Sequence, residues 1–385
     1  MKVASVSDYR LLARKRVPRF LFDYLDGAAF SEVTKAANTT DLASVCLSPR
    51  VLRDVSSIET TTSLAGQSCS LPIVLAPVGL AGMYARRGEI QAARAAEAKS
   101  IPFTLSTVGV CSLQEVDAAV AAPFWFQVYM IRDRGFMRDL LTHVGESQVS
   151  TLVLTVDMPT PGIRYRDYRS GLAGETRLRG NFRRVCQAAA RPRWALDVGL
   201  RGRPHQLGNI APLLGNSTGL EDFMAWMQRN FDPTVTWRDL DFVREHWSGP
   251  VLVKGILNPR DAVEAAAREV DGIVVSNHGG RQLDGVRSTC RVLPEIVREV
   301  GDRLDVLADG GVESGLDVLR LIALGAKGVM LGRSWVYGLA ARGQAGVEDV
   351  VEILAKELRV SMALSGCRTI ADVDRDLLAG EVSRD

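Results

Sequence analysis

The residues best suited to chemistry in this chain lie in one run, Ser276–Asp284, which reads SNHGGRQLD. His278 can exchange a proton near neutral pH, and Arg281 can bind a carboxylate through two parallel hydrogen bonds. The two glycines between them permit a tight turn that directs both side chains toward one ligand. A small organic acid that loses a proton beside its carboxylate needs this combination. The alternative is a glycine-rich loop with a structural histidine and a solvated arginine.

This run follows an apolar segment that predicts a buried parallel strand, and similar segments recur along the chain. Helix-period segments such as Glu89–Lys99 and Pro259–Val270 separate them. The alternation predicts a (β/α)8 TIM barrel, and the lack of a G-x-G-x-x-G motif after the first strand disfavours a dinucleotide-binding open sheet. The predicted strands are Pro72–Ala76, Pro102–Ser106, Phe124–Tyr129, Thr151–Val156, Val251–Lys254, Gly272–Ser276, Asp305–Ala308 and Gly328–Leu331.

Two additions to this barrel are expected within a single domain that spans residues 1–385. Residues 1–50 are interpreted as an N-terminal helical extension. Residues 158–232 form a long insertion after the fourth strand, far beyond the usual length of a loop between a strand and a helix. Insertions at this end of a barrel are typically lids or binding elements.

Reactive side chains in barrel enzymes come from the C-terminal ends of the strands. A polar, aromatic or charged residue ends nearly every predicted strand, which is costly in a buried strand unless the group faces a ligand or a partner. Asp157 should therefore be paired, and His278 is the obvious partner, although an Asp–Arg structural pair is the alternative. The strand-end residues are Ser106, Gln127, Tyr129, Thr155, Asp157, Lys254, Ser276 and Asp309.

Two glycine-containing turns at the seventh and eighth strands indicate a phosphate site. Asp309-Gly310-Gly311 and Gly332-Arg333 each place backbone N–H groups near a helix start, the common position of a phosphate in a barrel. A phosphorylated cofactor bound there would lie beside Lys254. A buried lysine would stabilise negative charge on an electron-accepting ring such as a reduced flavin, while the alternative is a surface lysine.

Composition excludes several classes of protein. The chain has 385 residues, 46% hydrophobic and 24% charged, with a net charge of only +2, which does not suggest nucleic-acid binding. No apolar run approaches the length of a membrane span, and Met1–Ser5 carries no signal-peptide pattern. The six cysteines are scattered without a CxxC pair, so we expect reduced thiols, no metal site and a cytoplasmic location.

Together these residues resemble the FMN-dependent L-2-hydroxy acid dehydrogenases and oxidases. The resemblance is essentially full length, its central motif is the run Ser276–Asp284, and the bacterial respiratory members that oxidise L-lactate are the most similar. It implies bound FMN, L-lactate as substrate, membrane quinone as electron acceptor and a homo-oligomer, typically a tetramer. The supporting stretches are Ala76–Arg87, Thr104–Cys111, Phe126–Met137, Thr155–Asp167, Asp197–Ile210, Asn230–Asp232 and Lys254–Leu257.

The resemblance also implies a role for each matching residue. His278 would be the base, paired with Asp157, and Arg281 would bind the substrate carboxylate with help from Tyr24. Tyr129 would hydrogen-bond near the reacting hydroxyl, and Arg164 would be a second cation on the substrate side. Hydride transfer and a carbanion route both need this base and clamp. The implied cofactor-binding residues are Pro77, Val78, Gly79, Ser106, Gln127, Thr155, Lys254, Ser276, Asp309, Gly310, Gly311, Gly332 and Arg333.

One position departs from the family's pattern. The family commonly has an arginine shortly after the Asp-Gly-Gly turn, where it reaches the FMN phosphate, and this chain has Glu313. A carboxylate suits a helix N-terminus but repels a phosphate. We therefore expect FMN to bind more loosely, and a Glu313→Arg variant to bind it more tightly.

A basic segment in the insertion bears on the electron acceptor. Residues 164–203 contain eleven arginines and three acidic residues, a local charge of +8. Leu178, Phe182, Val185 and Trp194 are interleaved with them and are expected to be exposed apolar anchors. Such a segment could contact anionic lipid on the cytoplasmic face of the inner membrane, consistent with transfer of electrons to quinone. The alternative is a flexible, solvated charge run.

Other functions remain open at this stage. An oxidase of the same family would return electrons to oxygen, although Gly79 replaces the alanine that soluble oxidases tend to have. A mandelate-type dehydrogenase would need a roomier pocket, for which Met83 and Val108 are candidate contacts. A different class is a non-redox barrel protein that binds a phosphorylated ligand.

Overall fold

The computed structural model describes residues 2–203, 205–214, 226–227 and 229–380. Three helices come first: α1 (Val6–Arg16), α2 (Arg19–Asp26) and α3 (Val33–Ser44). Helix α1 begins at a capping box, in which the backbone N–H of Ser5 donates to the Asp8 carboxylate at 3.2 Å. The predicted N-terminal helical extension is therefore present.

Eight parallel strands form the barrel predicted from the apolar runs. The hydrogen-bonded order is β3-β10-β9-β8-β7-β6-β5-β4, and the backbone N–H of Leu75 donates to Pro102 at 2.9 Å to join the two ends. Every predicted strand is confirmed, and each boundary differs by at most two residues. The strands are β3 (Ile73–Leu75), β4 (Thr104–Ser106), β5 (Phe124–Val128), β6 (Val149–Thr155), β7 (Val251–Ile256), β8 (Gly272–Val275), β9 (Asp305–Asp309) and β10 (Gly328–Leu331).

A short hairpin, β1 (Thr62–Leu64) and β2 (Gln67–Cys69), precedes the barrel and was not predicted. Leu64 and Cys69 join a separate buried cluster of strand residues that fills the barrel interior. The indole N–H of Trp125 donates to the side chain of Gln67 at 3.0 Å. The hairpin therefore packs against the interior layer, and the opposite ends of the strands are left for the site. The interior cluster also contains Val74, Ala76, Val153, Leu252, Val274, Leu307 and Met330.

Helices surround the strands, as the alternating pattern predicts. Pro259 opens its helix behind Asn258, whose side chain accepts from the backbone N–H of Arg260. The C-terminal helices pack against α1 and α4, so the extension and the barrel share one core. The helices that follow β3–β10 or lie between them are α4 (Gly88–Ala98), α5 (Leu113–Asp117), α6 (Arg134–Gly145), α7 (Tyr165–Ser170), α8 (Arg177–Ala189), α9 (Pro192–Trp194), α10 (Ala211–Leu214), α11 (Asp239–His246), α12 (Pro259–Ala267), α13 (Thr289–Val300), α14 (Gly315–Ala323), α15 (Arg333–Arg342) and α16 (Gln344–Ser365).

The insertion after β6 holds helices α7 to α10 and a π-helical turn, Ala195–Leu200. Residues 204, 215–225 and 228 of the predicted insertion lie outside the described part of the chain. Trp194 corrects one prediction, because it is buried and not an exposed anchor. Its indole N–H donates to the backbone oxygen of Met83 at 2.8 Å, and its ring packs edge-on against Phe20.

Candidate active site

The loop after β8 is held in place by a pair of amide side chains. Asn277 and Asn38 of α3 exchange hydrogen bonds of 2.7 and 2.8 Å, and the Asn277 oxygen also accepts from the backbone N–H of Gly280. His278 has φ of 57°, in the left-handed region that non-glycine residues seldom adopt. Strain of this kind is concentrated at functional sites and needs firm support from its surroundings.

His278 is joined to Asp157, as the sequence predicts. Its Nδ1 lies 2.9 Å from Oδ1 of Asp157. Gly255, with φ of 112°, makes room for this carboxylate, because a Cβ there would lie 2.6 Å from the Cβ of Asp157. Burial acts to raise the pKa of Asp157, but His278 and then Lys254 outweigh it, so the pKa is below its ordinary value. The carboxylate is thus ionised at neutral pH and orients the imidazole.

Two arginines flank the ring of Tyr24. The guanidinium carbons of Arg164 and Arg281 lie 4.9 and 5.0 Å from its centroid. One terminal nitrogen of Arg281 donates to backbone oxygens of Tyr24, Leu25 and Gly27 at the end of α2. Burial and then Arg164 lower the pKa of Arg281 to about 10. Both side chains remain charged at neutral pH, so an anion placed between them would be stabilised.

Arg164 also has donors to spare. It is 4% exposed, and its carboxylate neighbour, Asp167, is 3.7 Å from one terminal nitrogen. Within the described residues, Nε and that nitrogen find no hydrogen-bond acceptor. A buried guanidinium normally satisfies such donors. A bound carboxylate would do so here.

A chain of polar contacts links the ends of β7, β8 and β9. The Lys254 ammonium donates to Ser276 at 2.9 Å and lies 3.0 Å from Asp309, and the Ser276 hydroxyl donates to Asp309 at 2.8 Å. Burial acts to lower the pKa of Lys254, but Asp309 and Asp157 raise it above its ordinary value. The lysine is therefore a buried, permanent cation beside the cavity.

The ends of β4, β5 and β6 add further polar groups. The Ser106 hydroxyl donates to the side-chain oxygen of Gln127 at 2.8 Å, across a register that pairs these residues. Tyr129 is buried and stacks on Phe231 with ring centroids 4.8 Å apart. Burial and then Asp157 raise its pKa, so its hydroxyl remains a donor at any physiological pH. Thr155 is buried at the end of β6.

The glycine turns form the other end of the cavity. Gly310 and Gly311 both have positive φ, whereas a Cβ on Gly332 would enter open space. The Arg333 guanidinium donates to three backbone oxygens of the α2 end and the His278 loop, at 2.8 to 3.1 Å. Glu313 also lines this end, as the sequence predicts.

One cavity gathers most of the predicted site residues. Four predicted residues do not line the cavity but are hydrogen-bonded to residues at its wall. Asp157 bonds to His278, and Ser276 bonds to Lys254. Ser106 bonds to the backbone of the lining residue Val108, and Gln127 bonds to Ser106. Met83 is not among its lining residues, whereas Val108 is. The predicted residues that line it are Tyr24, Pro77, Val78, Gly79, Tyr129, Thr155, Arg164, Lys254, His278, Arg281, Asp309, Gly310, Gly311, Gly332 and Arg333.

The sequence did not point to the contribution of α3. Asn38 and Lys35 line the cavity, and Asn38 fixes the His278 loop. One signal was available, since Asn38 falls on the buried stripe of α3 with Thr34 and Leu42, four residues apart. Lys35 lies off that stripe, so periodicity gives no signal for it.

The cavity fits the FMN that the resemblance implies. Gln127 Nε2, Thr155 Oγ1 and Asp309 Oδ1 are buried without a hydrogen-bond partner among the residues described. Such groups are costly unless a ligand supplies the partner. The donor and acceptor atoms match the polar edge of a flavin and its ribityl hydroxyls, and the glycine turns leave space for a phosphate.

The comparisons with known proteins agree with this geometry. A family model described as FMN-dependent dehydrogenase matches residues 13–380. The chain is 59% identical to an L-lactate dehydrogenase of Caulobacter sp. (strain K31) over 98% of this chain and 99% of that protein. It is 54% identical to an L-lactate dehydrogenase of Azorhizobium caulinodans, over 99% of each.

Solved structures give the same result. The fold is similar to that of the monotopic membrane protein (S)-mandelate dehydrogenase, with a TM-score of 0.92 and 34% identity over 99% of this chain and all of the other. A mandelate oxidase with (S)-4-hydroxymandelic acid has a TM-score of 0.84 and 36% identity over 98% of each chain. These likenesses extend along nearly the whole chain.

Proposed function

Because this chain belongs to the family of FMN-dependent dehydrogenases, and is an FMN-dependent L-2-hydroxy acid dehydrogenase, we propose that it oxidises L-lactate to pyruvate and passes the electrons to membrane quinone. The observation that carries the choice of lactate is the near-full-length likeness to L-lactate dehydrogenases. The mandelate enzymes share the fold at a lower identity. The site agrees with a small, anionic substrate.

FMN, when bound, supplies the acceptor for two electrons. The protein's own contribution starts with His278, which takes up the proton that the substrate loses. Because Asp157 engages Nδ1, Nε2 is the ring nitrogen left to exchange that proton. The ionised Asp157 carboxylate then stabilises the imidazolium, as the third group does in catalytic triads.

The two arginines beside Tyr24 hold the substrate carboxylate. Arg281 is fixed by its bonds to the end of α2, and Arg164 has free donors within the described structure. Two cations on one carboxylate orient the hydroxyl-bearing carbon and reduce the entropy lost on reaching the reactive geometry. The Tyr129 hydroxyl, which stays protonated, donates near the reacting oxygen.

Lys254 and the strand-end amide and hydroxyl groups position the cofactor. The Lys254 ammonium is buried and charged, so it favours negative charge that develops on the ring. Ser106, Gln127 and Thr155 would bond the polar edge of the ring, with Pro77, Val78 and Gly79 along one side. Ser276 and Asp309 would hold the ribityl chain. The phosphate would lie at Gly310, Gly311, Gly332 and Arg333.

Steady-state assays test this function. With L-lactate as donor, we expect rapid turnover with a soluble quinone analogue and slow turnover with oxygen. Fast oxygen consumption with peroxide formation would instead favour the oxidase. An anaerobic panel of L-2-hydroxy acids tests the substrate, and preference for mandelate over lactate would contradict the proposal.

A second cavity supports quinone as the acceptor. It has a volume of about 440 Å³, is lined mainly by apolar residues and shares Tyr129, Thr155 and Met158 with the substrate cavity. A planar, apolar quinone ring would enter it without displacing the substrate's charged contacts. We expect Val235→Trp to raise the KM for a quinone analogue without changing flavin reduction by L-lactate. An unchanged KM would exclude this cavity as the acceptor site.

An exposed face of the insertion supports contact with a membrane. Leu178, Phe182 and Val185 are 85%, 73% and 64% exposed and lie on one face of α8, four and three residues apart. Leu196 and Leu200 of the π-helical turn are also exposed. We define these five residues as the apolar face. The same segment also carries the exposed arginines Arg179, Arg193, Arg201 and Arg203, and apolar and basic side chains together suit an anionic lipid surface.

This contact would be peripheral. No helix in the described part of the chain is both long and apolar enough to cross a membrane. Not all eleven arginines contribute to the surface, since Arg164 is buried and Arg166 pairs with Asp26 and Glu32. Arg183 is likewise paired, with Glu175. The exposed arginines and the apolar face would bring the site close to membrane quinone.

Vesicle sedimentation tests the apolar face. We expect Leu178→Asp/Phe182→Asp to weaken binding to anionic vesicles at least tenfold, since each buried side chain contributes about 1.5–3 kcal/mol. Leu364→Asp is the matched control, because that leucine is 73% exposed on α16, outside the basic segment. Equal binding of all three proteins, or equal binding to neutral vesicles, would contradict the proposal.

A further inference from the structure

The phosphate end of the cavity has an unusual charge arrangement. Glu313 occupies the place where the family commonly has an arginine, and Lys35 from the N-terminal extension lines the same cavity. The surrounding protein raises the pKa of the Glu313 carboxyl, while Arg10 and Lys35 act in the opposite direction. A dianionic phosphate at this end would therefore be stabilised by a second cation beside Arg333, supplied from another part of the fold.

Lys35 is held beside Arg333 by the end of α2. Its ammonium donates to the backbone oxygen of Asp26 at 2.5 Å, while Arg333 donates to the oxygens of Leu25 and Gly27 at 3.1 and 2.8 Å. The two cations thus attach to three consecutive carbonyls. The backbone of Lys35 packs closely against the His278 loop, since a Cβ on Gly280 would lie 2.7 Å from its nitrogen.

The charge of Lys35 is only partly compensated. Asp26 and Glu32 lie 3.4 and 3.8 Å away. The buried Asp26 carboxylate already accepts from Arg10, Arg166 and the Tyr337 hydroxyl, and Glu32 also accepts from Arg166. Burial and then Arg333 lower the pKa of the Lys35 ammonium, and Asp26 acts in the opposite direction. Two neighbouring cations at the rim of a cavity favour an anionic ligand between them.

We propose that Lys35 binds the FMN phosphate together with Arg333, in place of the arginine that the family has at the position of Glu313. The phosphate would be held by the N-terminal helices as well as by the glycine turns of the barrel. This inference rests on FMN binding in this cavity and not on the identity of the substrate or the electron acceptor.

Flavin binding to the apoprotein tests the proposal directly. We would follow the quenching of flavin fluorescence with FMN and, separately, with riboflavin, which lacks the phosphate. Lys35→Met should weaken FMN binding at least tenfold and leave riboflavin binding unchanged, because a charge-assisted contact to the phosphate is lost. Lys327→Met is the matched control, since that half-exposed lysine pairs with Asp305 outside the cavity.

A second variant separates a lost charge from a damaged fold. Lys35→Met/Glu313→Arg moves the cation to the family's usual position and should restore FMN affinity. An equal loss of FMN and riboflavin binding in Lys35→Met would mean that Lys35 only supports the fold, and would overturn the proposal. Unchanged FMN binding would overturn it as well. Each readout is a binding constant, so a wrong substrate assignment would not affect it.

Discussion

Replacement of Asp157 by Asn tests the pairing at the centre of the site. The change keeps the shape and an oxygen acceptor 2.9 Å from His278 Nδ1 but removes the negative charge. Two unit charges about 4 Å apart interact by about 4 kcal/mol at an effective dielectric constant of about 20. The retained hydrogen bond offsets part of this interaction energy. The loss of transition-state stabilisation should therefore approach the 1.5–3 kcal/mol typical of a charged hydrogen bond. That range corresponds to a rate about 10- to 150-fold lower.

The assay is anaerobic rapid mixing of the FMN-loaded protein with L-lactate, followed by the visible absorbance of the flavin. We expect the limiting rate to fall, with little change in the apparent substrate affinity, because Asp157 does not touch the cavity. Asp376→Asn, at an exposed ion pair with Arg50, is the control. An unchanged limiting rate would refute the role of Asp157.

Three further changes have definite expected outcomes. In steady-state assays, Arg281→Lys should lower kcat/KM for L-lactate about 10- to 150-fold, mainly through a higher KM. An ammonium cannot make the two parallel hydrogen bonds that a guanidinium makes to a carboxylate. Asp26→Asn should lower the free energy of unfolding by about 1.5–3 kcal/mol at neutral pH, since the partly exposed Arg10 and Arg166 lose charged hydrogen bonds to a buried carboxylate. Burial acts to raise the pKa of Asp26, but Arg10 and its other partners lower the pKa below its ordinary value. In denaturation experiments, the difference in unfolding free energy between the wild type and Asp26→Asn should therefore shrink as pH falls through the ordinary carboxyl range. Gly79→Ala should slow flavin reduction, because its Cβ would lie 2.7 Å from Val108, and adding Val108→Ala should restore the rate.

The barrel was predictable because its strands are buried on both faces and so appear as continuous apolar runs. Strand ends were predictable for the same reason, since a charged residue such as Lys254 stands out at the end of such a run. The hairpin β1–β2 was not, because its three-residue strands carry too few residues to show a period. Trp194 was misinterpreted because an aromatic residue in a basic segment has the same local pattern whether exposed or buried.

Contacts between distant parts of the chain were the harder part of the site. The pairing of His278 with Asp157 followed from the need to neutralise a buried carboxylate, and the geometry agrees with it. The bonds from Arg281 and Arg333 to the end of α2 join segments more than 250 residues apart. Every residue has a backbone oxygen, so the residue types do not indicate which oxygens accept these bonds. Lys35 could not be predicted as a site residue for the same reason, because its ammonium also bonds to a backbone oxygen, that of Asp26.

The most direct test of the account is anaerobic mixing of the FMN-loaded protein with L-lactate and, separately, with D-lactate. His278, Arg281 and the cofactor are proposed to hold one small acid in a single orientation. We therefore expect rapid loss of the flavin's visible absorbance with the L enantiomer, and little or none with the D enantiomer or with L-lactate in a His278→Asn variant. Equal reduction by both enantiomers, or full activity of the variant, would contradict the central claim.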